Sequence, residues 1–289
     1  MSTCIPTVVV LLTLLVMNFF LFSFTFVEAI DSGNSFSISE GARDIHRHQI
    51  ESFRQYILSG RCKHVYIDLG TNIGVQLRKL YQPDHFKWAK VHRLFSEYFG
   101  HNRTNVCALG IEANPRHAER LLELQSKYQS MNYPMVILTS TAVSVEDGLS
   151  TFFYNGGPHG DDHQWAGSVS KSTINESSNA TVISVDINRI LMDFFLIWEP
   201  HRLKYMSIPD YNVSKKTTEK NSIVHVLESK VVAKIDIEGE EFRVIPHMLS
   251  GGSFCKLDLS MVEWHPHSMR NKNVFIPWEW GMKLRTGII

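Results

Sequence analysis

The sequence predicts an α/β fold with a doubly wound, mostly parallel sheet and helices on both faces, preceded by an N-terminal hydrophobic helix. First, residues 64–74 read HVYIDLGTNIG, which is an apolar strand followed by a glycine-flanked turn that opens a helix. Such a turn exposes backbone N–H groups to a ligand. Second, strand and helix patterns alternate beyond it, as is typical of parallel sheets. Third, residues 231–237 (VVAKIDI) read as another buried strand that carries acidic residues near its end.

The chain divides into a leader, a linker and one domain. Residues 8–27 are almost all apolar, and a helix that crosses a bilayer needs about 20 such residues. Residues 1–30 are therefore a signal anchor or, because 27–29 resemble a cleavage site, a signal peptide. A Ser/Gly-rich linker covers 31–41, and a single domain covers 42–289.

Periodicity and turn residues predict the other elements of the domain. Further strands are expected at 106–112, 135–143, 151–154, 231–237 and 257–265, and helices at 42–58, 114–128 and 240–249, with an extra helix within 82–101. Residues 155–180 and 200–221 are polar, and we expect them to be long loops.

Composition argues against a nucleic-acid partner and a sequence-encoded metal site. The chain has 29 basic and 29 acidic residues and a formal net charge of zero, so nothing attracts it generally to nucleic acid. Fourteen histidines are present, but no H-E-x-x-H or paired C-x-x-C pattern organises them into a metal site. The histidines and aspartates of 158–163 are expected to lie in a solvated loop, and 165–168 could form part of a lid.

Several features favour the secretory pathway. Sequons for N-glycosylation occur at Asn102, Asn175, Asn179 and Asn212. Cys62 and Cys107 precede or begin strands that should be neighbours, so either a disulfide or two buried free thiols fit the sequence. We expect a domain in the lumen of the endoplasmic reticulum or Golgi, anchored by a single span or secreted if the leader is cleaved.

Acidic residues follow the strands that should meet at the centre of the sheet. Asp68 and Asp236 belong to the predicted first and fourth strands, whose carboxyl ends share one crevice in a doubly wound fold. Glu112 and Glu238 lie at the same edge. A crevice lined by carboxylates suits a cationic or polyhydroxylated ligand, and a sulfonium cofactor has both properties.

Glu112 ends the second strand, where an acidic residue can accept hydrogen bonds from a ribose diol. The structural alternative is a carboxylate that stabilises the N-terminus of the next helix.

Two pairs of segments carry a resemblance to a known family. The first pair is VYIDLGTNIG at 65–74 and GIEANP at 110–115. The second pair is VAKIDIEGEE at 232–241 and MVEWHP at 261–266. Together they resemble the FkbM-type family of S-adenosylmethionine-dependent methyltransferases. The resemblance implies a Rossmann-like domain that methylates an oxygen, often on sugars or on natural-product hydroxyls.

The resemblance also assigns roles to residues around the cofactor. It implies that the methionine part lies among Asp68, Gly70, Asn72 and Gly74, that Glu112 holds the ribose and that Ala142 approaches the adenine.

Transfer of a methyl group to a hydroxyl requires alignment and a base. The candidate catalytic residues are Asp236, Glu238 and His265. His265 could be the base, since its unperturbed pKa lies near neutrality, or a packed histidine. Alternatively, the three side chains could hold a divalent cation, although the prediction favours no metal.

Two other functions compete with methyl transfer to a small-molecule or glycan acceptor. A nicotinamide-dependent oxidoreductase would use the same turn and Glu112, but the full G-x-G-x-x-G pattern is missing. A non-catalytic binding domain is the second rival, because only a short segment follows the fifth strand. That segment could form a closing hairpin from 273–280 and 282–289 or mark a truncated terminus. The sequence does not indicate an oligomeric state.

Overall fold

The protein is built on a parallel sheet of five strands, with a second sheet of four. The computed structural model describes residues 40–155, 167–169, 177–206 and 229–265. The strands are β1 His64–Leu69, β2 Val106–Ile111, β3 Met135–Leu138, β4 Thr141–Ser144, β5 Gly148–Asn155, β6 Gly167–Ser168, β7 Ser177–Asp186, β8 Val231–Ile235 and β9 Leu259–Val262. The helices are α1 Glu40–Leu58, α2 Val75–Tyr81, α3 Val91–Phe99, α4 Ala118–Ser130, α5 Ile187–Met206 and α6 Glu241–Ser250.

The order of the main sheet is β3-β2-β1-β8-β9, and all neighbours are parallel. The strand order reverses between β1 and β8, which pair directly with Leu69 opposite Ile235. The predicted adjacency of the first and fourth strands is therefore confirmed. Open sheets of this kind bind ligands outside the carboxyl ends of the strands at such a reversal.

Both faces of the main sheet are covered by helices. Val65, Ile67 and Leu69 of β1 belong to a core that also contains side chains of α1, α5 and α6. The intervening Tyr66 belongs to a second core with side chains of α2, α3 and α4. Successive side chains of a strand point to opposite faces. Burial on both faces explains why the central strands read as nearly continuous apolar runs.

The predicted third strand, 135–143, is wrong as a single element. It forms β3 in the main sheet and β4 in the second sheet, separated by a turn at Ser140 with a left-handed φ of 52°. The backbone N–H of Thr141 then donates to the carbonyl of Glu112 at 2.8 Å. The apolar run does not reveal this turn, because no glycine or proline marks it.

The second sheet has the order β4-β7-β5-β6. The short strand expected at 151–154 is the centre of the longer β5, which pairs with β7 over its whole length. The expectation of a loop throughout 155–180 is wrong at β6 and at the start of β7, while 156–166 and 170–176 lie outside the described residues. The extra helix expected within 82–101 is α3, preceded by a 3₁₀ turn at Pro83–Phe86.

Cys62 and Cys107 form a disulfide, with their Cα atoms 5.2 Å apart. It links the chain before β1 to the amino end of β2. No helix within the described ranges is long and apolar enough to cross a membrane. The leader, the loop 158–163 and the terminal segment 273–289 lie outside these ranges.

His64 is a buried histidine that opens β1. Its Nδ1 accepts a hydrogen bond from the backbone N–H of Lys230 at 3.2 Å. Burial, followed by the charges of Lys63, Arg103 and Lys230, lowers the pKa of His64 from 6.5 to about 3. The folded protein therefore holds this imidazole neutral over a range in which the unfolded chain protonates it.

We expect His64 to destabilise the fold as pH falls from 6.5 towards 3, because only the unfolded state gains the proton. The slope should approach about 1.4 kcal/mol per pH unit for this residue. Denaturant unfolding between pH 7 and pH 4 would compare the natural protein with His64→Asn, which keeps an acceptor and does not titrate. A shallower pH dependence is expected for the variant, and equal slopes would contradict this role.

Candidate active site

A cavity of about 540 Å³ opens at the carboxyl ends of β1, β2 and β8, beside the second sheet. This size lies within the range of small-molecule and cofactor sites. Most of the predicted site residues line it, namely Gly70, Asn72, Glu112, Ala142, Asp236 and Glu238. Asp68, Gly74 and His265 do not belong to the lining and lie next to it in the chain or in space.

The turn after β1 approaches the end of β8 very closely. Gly70 has a φ of +79°, and a Cβ there would lie 1.8 Å from the carbonyl oxygen of Asp236. Only glycine fits this conformation and this contact. Gly74, at a φ of +81°, faces α4 instead, since a Cβ would lie 2.3 Å from Leu124. Gly74 therefore packs the turn against a helix, whereas Gly70 forms part of the cavity wall.

Glu112 ties the turns after β1 and β2 together. Its Oε2 accepts a hydrogen bond from the backbone N–H of Asn72 at 2.6 Å, and its Oε1 accepts one from the backbone N–H of Asn114 at 2.7 Å. Burial raises the pKa of Glu112 to about 7, although these two donors oppose the shift. Both the ligand role and the structural role expected from the sequence are compatible with this position, because each oxygen can accept a second hydrogen bond.

Asn72 offers an acceptor to a ligand. It adopts a φ of 52°, in the left-handed region, and its side chain borders the cavity. Its Oδ1 is buried and has no hydrogen-bond partner among the described residues. Buried polar atoms are almost always paired, so an orphaned acceptor at a cavity suggests a missing donor.

Asp68 lies below the cavity and does not line it. Its side chain is completely buried, and Oδ1 is 3.7 Å from Nζ of Lys234. Burial raises the pKa of Asp68 to about 6, with the nearby Lys234 ammonium lowering it and the Asp236 carboxylate raising it. Neither carboxylate oxygen of Asp68 has a hydrogen-bond partner among the described residues, and Lys234 is the cation beside it. The contact with a ligand that the sequence predicts for Asp68 stays a prediction.

Lys234 is the residue that the sequence prediction missed at this position. Its ammonium donates to the carbonyl oxygen of Gly70 at 3.0 Å and pairs with Oδ2 of Asp236 at 2.9 Å. It therefore links the turn after β1 to the end of β8. The available signal was a lysine inside an otherwise apolar buried strand, since a charge in such a place is normally paired.

The backbone of the turn after β8 is strained. Glu238 has a φ of 52°, which is uncommon for a residue with a side chain, and Gly239 follows at 103°. The carbonyl oxygen of Glu238 accepts a hydrogen bond from Oγ of Ser168 at 2.9 Å, so β6 contacts this turn. Burial raises the pKa of the Glu238 carboxyl to about 7, with His265 lowering it and Asp236 raising it.

His265 is surrounded by carboxylates. Its Nδ1 lies 3.1 Å from Oε1 of Glu241, and its Nε2 lies 3.6 Å from Glu238 and 3.7 Å from Asp236. Burial lowers the pKa of His265, but the hydrogen bond and charge of Glu241 and the charges of Glu238 and Asp236 raise it overall to about 9. The imidazole is therefore protonated at neutral pH in this arrangement. An imidazolium has no lone pair for a proton, so the geometry favours Glu238 over His265 as a base.

Ala142 and the second sheet close one side of the cavity. Ala142 lines the cavity as predicted, but it belongs to β4 and not to the third strand of the main sheet. Gly167 and Ser168, from the predicted lid, also line the cavity, whereas 165 and 166 lie outside the described residues. Trp88 also lines the cavity, with 76% of its surface exposed, and the sequence analysis gave it no role.

The family model for the methyltransferase FkbM domain matches residues 68–276. This range contains the glycine-flanked turn after β1 and the turn after β8, and it covers more than half of the chain. The protein therefore belongs to the FkbM methyltransferase family, and the resemblance noted in the sequence is confirmed. Comparison with curated proteins and with solved structures found no match.

Lys234→Met should lower the free energy of unfolding by about 3–5 kcal/mol, because it leaves the buried carboxylate of Asp68 without its neighbouring cation. Denaturant unfolding would measure the change. Adding Asp68→Asn should recover part of the loss.

Lys256→Met is the matched control, since Lys256 pairs with Glu199 in a partly exposed position. Its cost should stay within about 1 kcal/mol. Equal destabilisation by the two lysine substitutions would show that the ion pair of Lys234 with the buried Asp68 contributes no more than an exposed ion pair.

Proposed function

We propose that this protein is an S-adenosylmethionine-dependent methyltransferase that methylates a hydroxyl oxygen of a glycan or another small molecule in the secretory pathway. The observation that carries the proposal is the carboxylate-lined cavity where β1 and β8 meet. Membership of a methyltransferase family supports the reaction class.

Charge supports a cationic donor. Carboxylates outnumber ammonium groups among the described residues of the cavity, with Glu112, Asp236, Glu238, Glu240 and Glu263 facing Lys79 and Lys234. A cleft that is rich in one sign of charge attracts a ligand of the opposite sign. S-adenosylmethionine is such a ligand, because its methyl group is carried on a positively charged sulfonium.

Individual residues fit the parts of this cofactor. The orphaned Oδ1 of Asn72 can accept a hydrogen bond from the cofactor's ammonium group. Glu112 retains acceptor capacity for the ribose hydroxyls, and the small side chain of Ala142 leaves room for a flat base. Gly70 keeps the backbone of the turn close to the ligand. Asp68 acts indirectly, by holding Lys234 against the turn.

Glu238 is the best candidate for the base. Its carboxylate borders the cavity, and the left-handed backbone at this residue holds the side chain next to His265. It would take the proton that the acceptor hydroxyl loses. Asp236 would contribute negative charge nearby, while Lys234 occupies one of its oxygens.

Other features support a lumenal location and a sugar acceptor. The Cys62–Cys107 disulfide suits an oxidising compartment, and the sequon at Asn102 lies at an exposed position. The apolar run at 8–27 would supply the anchor or the signal. Trp88 offers an exposed aromatic face at the rim of the cavity, which suits stacking on a sugar ring.

Calorimetric titration of the full chain in detergent tests the cofactor. We expect saturable binding of S-adenosylmethionine and S-adenosylhomocysteine and none of NAD, since the cleft favours a cation and lacks a full dinucleotide glycine pattern. Binding of NAD alone would support the oxidoreductase alternative. Absence of heat with both sulfur compounds would reject the proposal.

Glu238→Gln should reduce methyl transfer by about 100-fold or more, because the amide cannot take the hydroxyl proton. Affinity for S-adenosylhomocysteine should change by no more than a few fold. Methyl transfer would be measured as S-adenosylhomocysteine release with an acceptor found in a panel of hydroxylated glycans. Glu123→Gln, at an exposed position of α4, is the matched control. Turnover equal to that of the control would remove Glu238 from the mechanism, and cofactor binding without any turnover in the natural protein would favour the binding-domain alternative.

A further inference from the structure

A group of potential metal ligands stands at the edge of the cavity where β8 and β9 end. It consists of Asp236, Glu263 and His265, whose ligand atoms all lie within 4.8 Å of one another. Asp236 follows β8, and the other two follow β9, its parallel neighbour. Asp236 and Glu263 also line the cavity, so the group is continuous with the proposed cofactor and acceptor space.

The spacing of these atoms is compatible with a shared cation. Nε2 of His265 lies 3.7 Å from Oδ1 of Asp236 and 4.0 Å from Oε1 of Glu263. Nε2 also lies 3.6 Å from Oε2 of Glu238, which borders the same group. Atoms that each lie about 2.0–2.3 Å from one metal ion are separated from one another by about 3 to 4.5 Å. The measured separations fall in this range.

A buried carboxylate orients the imidazole of His265 towards the other ligands. Glu241 is completely buried, and its Oε1 accepts the backbone N–H of Ile237 at 2.7 Å while its Oε2 accepts that of Gly239 at 2.8 Å. The same Oε1 lies 3.1 Å from Nδ1 of His265. Such a pair fixes Nδ1 as the donor and points Nε2 at the cluster. Metal-binding histidines commonly have this carboxylate behind the ring.

The second oxygen of Asp236 is already occupied. Oδ2 pairs with the ammonium of Lys234 at 2.9 Å, whereas Oδ1 faces His265. Lys234 therefore fixes the carboxylate in an orientation that presents one oxygen to the cluster. Lys234 thus holds the carboxylate of Asp236, and Glu241 holds the imidazole of His265.

We propose that Asp236, Glu263 and His265 bind one divalent cation of the Mn²⁺ or Mg²⁺ class at the edge of the cavity where β8 and β9 end. Two carboxylates and one imidazole form a mainly oxygen-donating set, which suits these ions better than the thiolate-preferring metals. Three protein ligands leave positions for water or for an acceptor oxygen. The cation takes the place of the proton that Nε2 carries in its absence, because a metal-bound imidazole is neutral. This proposal replaces the sequence prediction of no metal. It differs from the alternative ligand set considered there, Asp236, Glu238 and His265, because Glu263 takes the place of Glu238.

The role of this cation rests on the proposed methyl transfer. An acceptor hydroxyl bound to the cation loses its proton more readily, and Glu238 accepts that proton. The oxygen lone pair then forms a bond to the methyl carbon while the bond from that carbon to sulfur breaks. The electron pair of the broken bond stays on sulfur, which becomes a neutral thioether. One proton and one methyl cation have moved, and no oxidant or reductant is needed.

Metal binding can be measured without cofactor or acceptor. The full chain in detergent would be titrated with Mn²⁺ alone, and free Mn²⁺ would be followed by electron paramagnetic resonance. We expect one saturable site per chain, weakened about tenfold or more by Glu263→Gln. Glu263 is largely exposed, with 68% of its side chain accessible, so its substitution should leave the fold intact.

Two further variants make the test specific. Glu123→Gln removes an exposed carboxylate elsewhere and should leave Mn²⁺ affinity unchanged. Glu241→Gln should weaken Mn²⁺ binding although it does not contact the ion, because His265 loses its orientation; Glu241 is a positioning residue. Competition by Mg²⁺ should displace Mn²⁺ from the same site.

The proposal is overturned if Mn²⁺ does not bind saturably, or if Glu263→Gln and Glu123→Gln bind it equally well. Either result leaves the methyltransferase proposal intact as long as S-adenosylmethionine still binds. Conversely, Mn²⁺ binding without binding of S-adenosylmethionine would retain the metal site and reject its role in methyl transfer. The two proposals therefore fail independently.

Discussion

The contact between the turn after β1 and the residue after β8 determines the arrangement of the whole site. Gly70 lies so close to the carbonyl of Asp236 that no side chain fits between them. The ammonium of Lys234 reinforces the contact by bonding the carbonyl of Gly70 and the carboxylate of Asp236. The turns after β1 and β8 thereby form one wall of the cavity. Glu112 extends that wall to the turn after β2 through its two backbone partners.

Buried charge is concentrated along this wall. Asp68 and Glu241 are completely buried carboxylates, and each has a specific partner or set of donors. Such groups reduce stability unless they are paired, and apolar residues would often fill the same volume at lower cost. Neither lines the cavity, but Asp68 lies 3.7 Å from Lys234 and Glu241 lies 3.1 Å from His265.

Much of the central architecture could be predicted from the sequence because its signals are local. The apolar runs of β1 and β8 and the glycine-flanked turn specify the strand order at the reversal. The division of 135–143 between two sheets could not be predicted, since it depends on a left-handed turn at Ser140 and on pairing with the distant β7. Similarly, an aspartate at the end of β1 indicated a functional site. Whether its carboxylate reaches the cavity depends on how the surrounding residues bury it, which the sequence does not show. Lys234 was missed because its partners Asp68 and Gly70 belong to β1 and the turn after it. The role proposed for Glu263 likewise depends on Asp236, which follows another strand.

The Cys62–Cys107 disulfide lies at the amino ends of β1 and β2, whereas the cavity lies at their carboxyl ends. A strand of six residues separates the two by roughly 20 Å. The covalent link closes a loop with a sequence separation of 45, which in the chain-entropy model raises stability by about 4 kcal/mol. The covalent stabilisation and the cavity thus lie at opposite ends of the strands. A thiol reductant would shorten the working life of the protein before it altered what the cleft recognises.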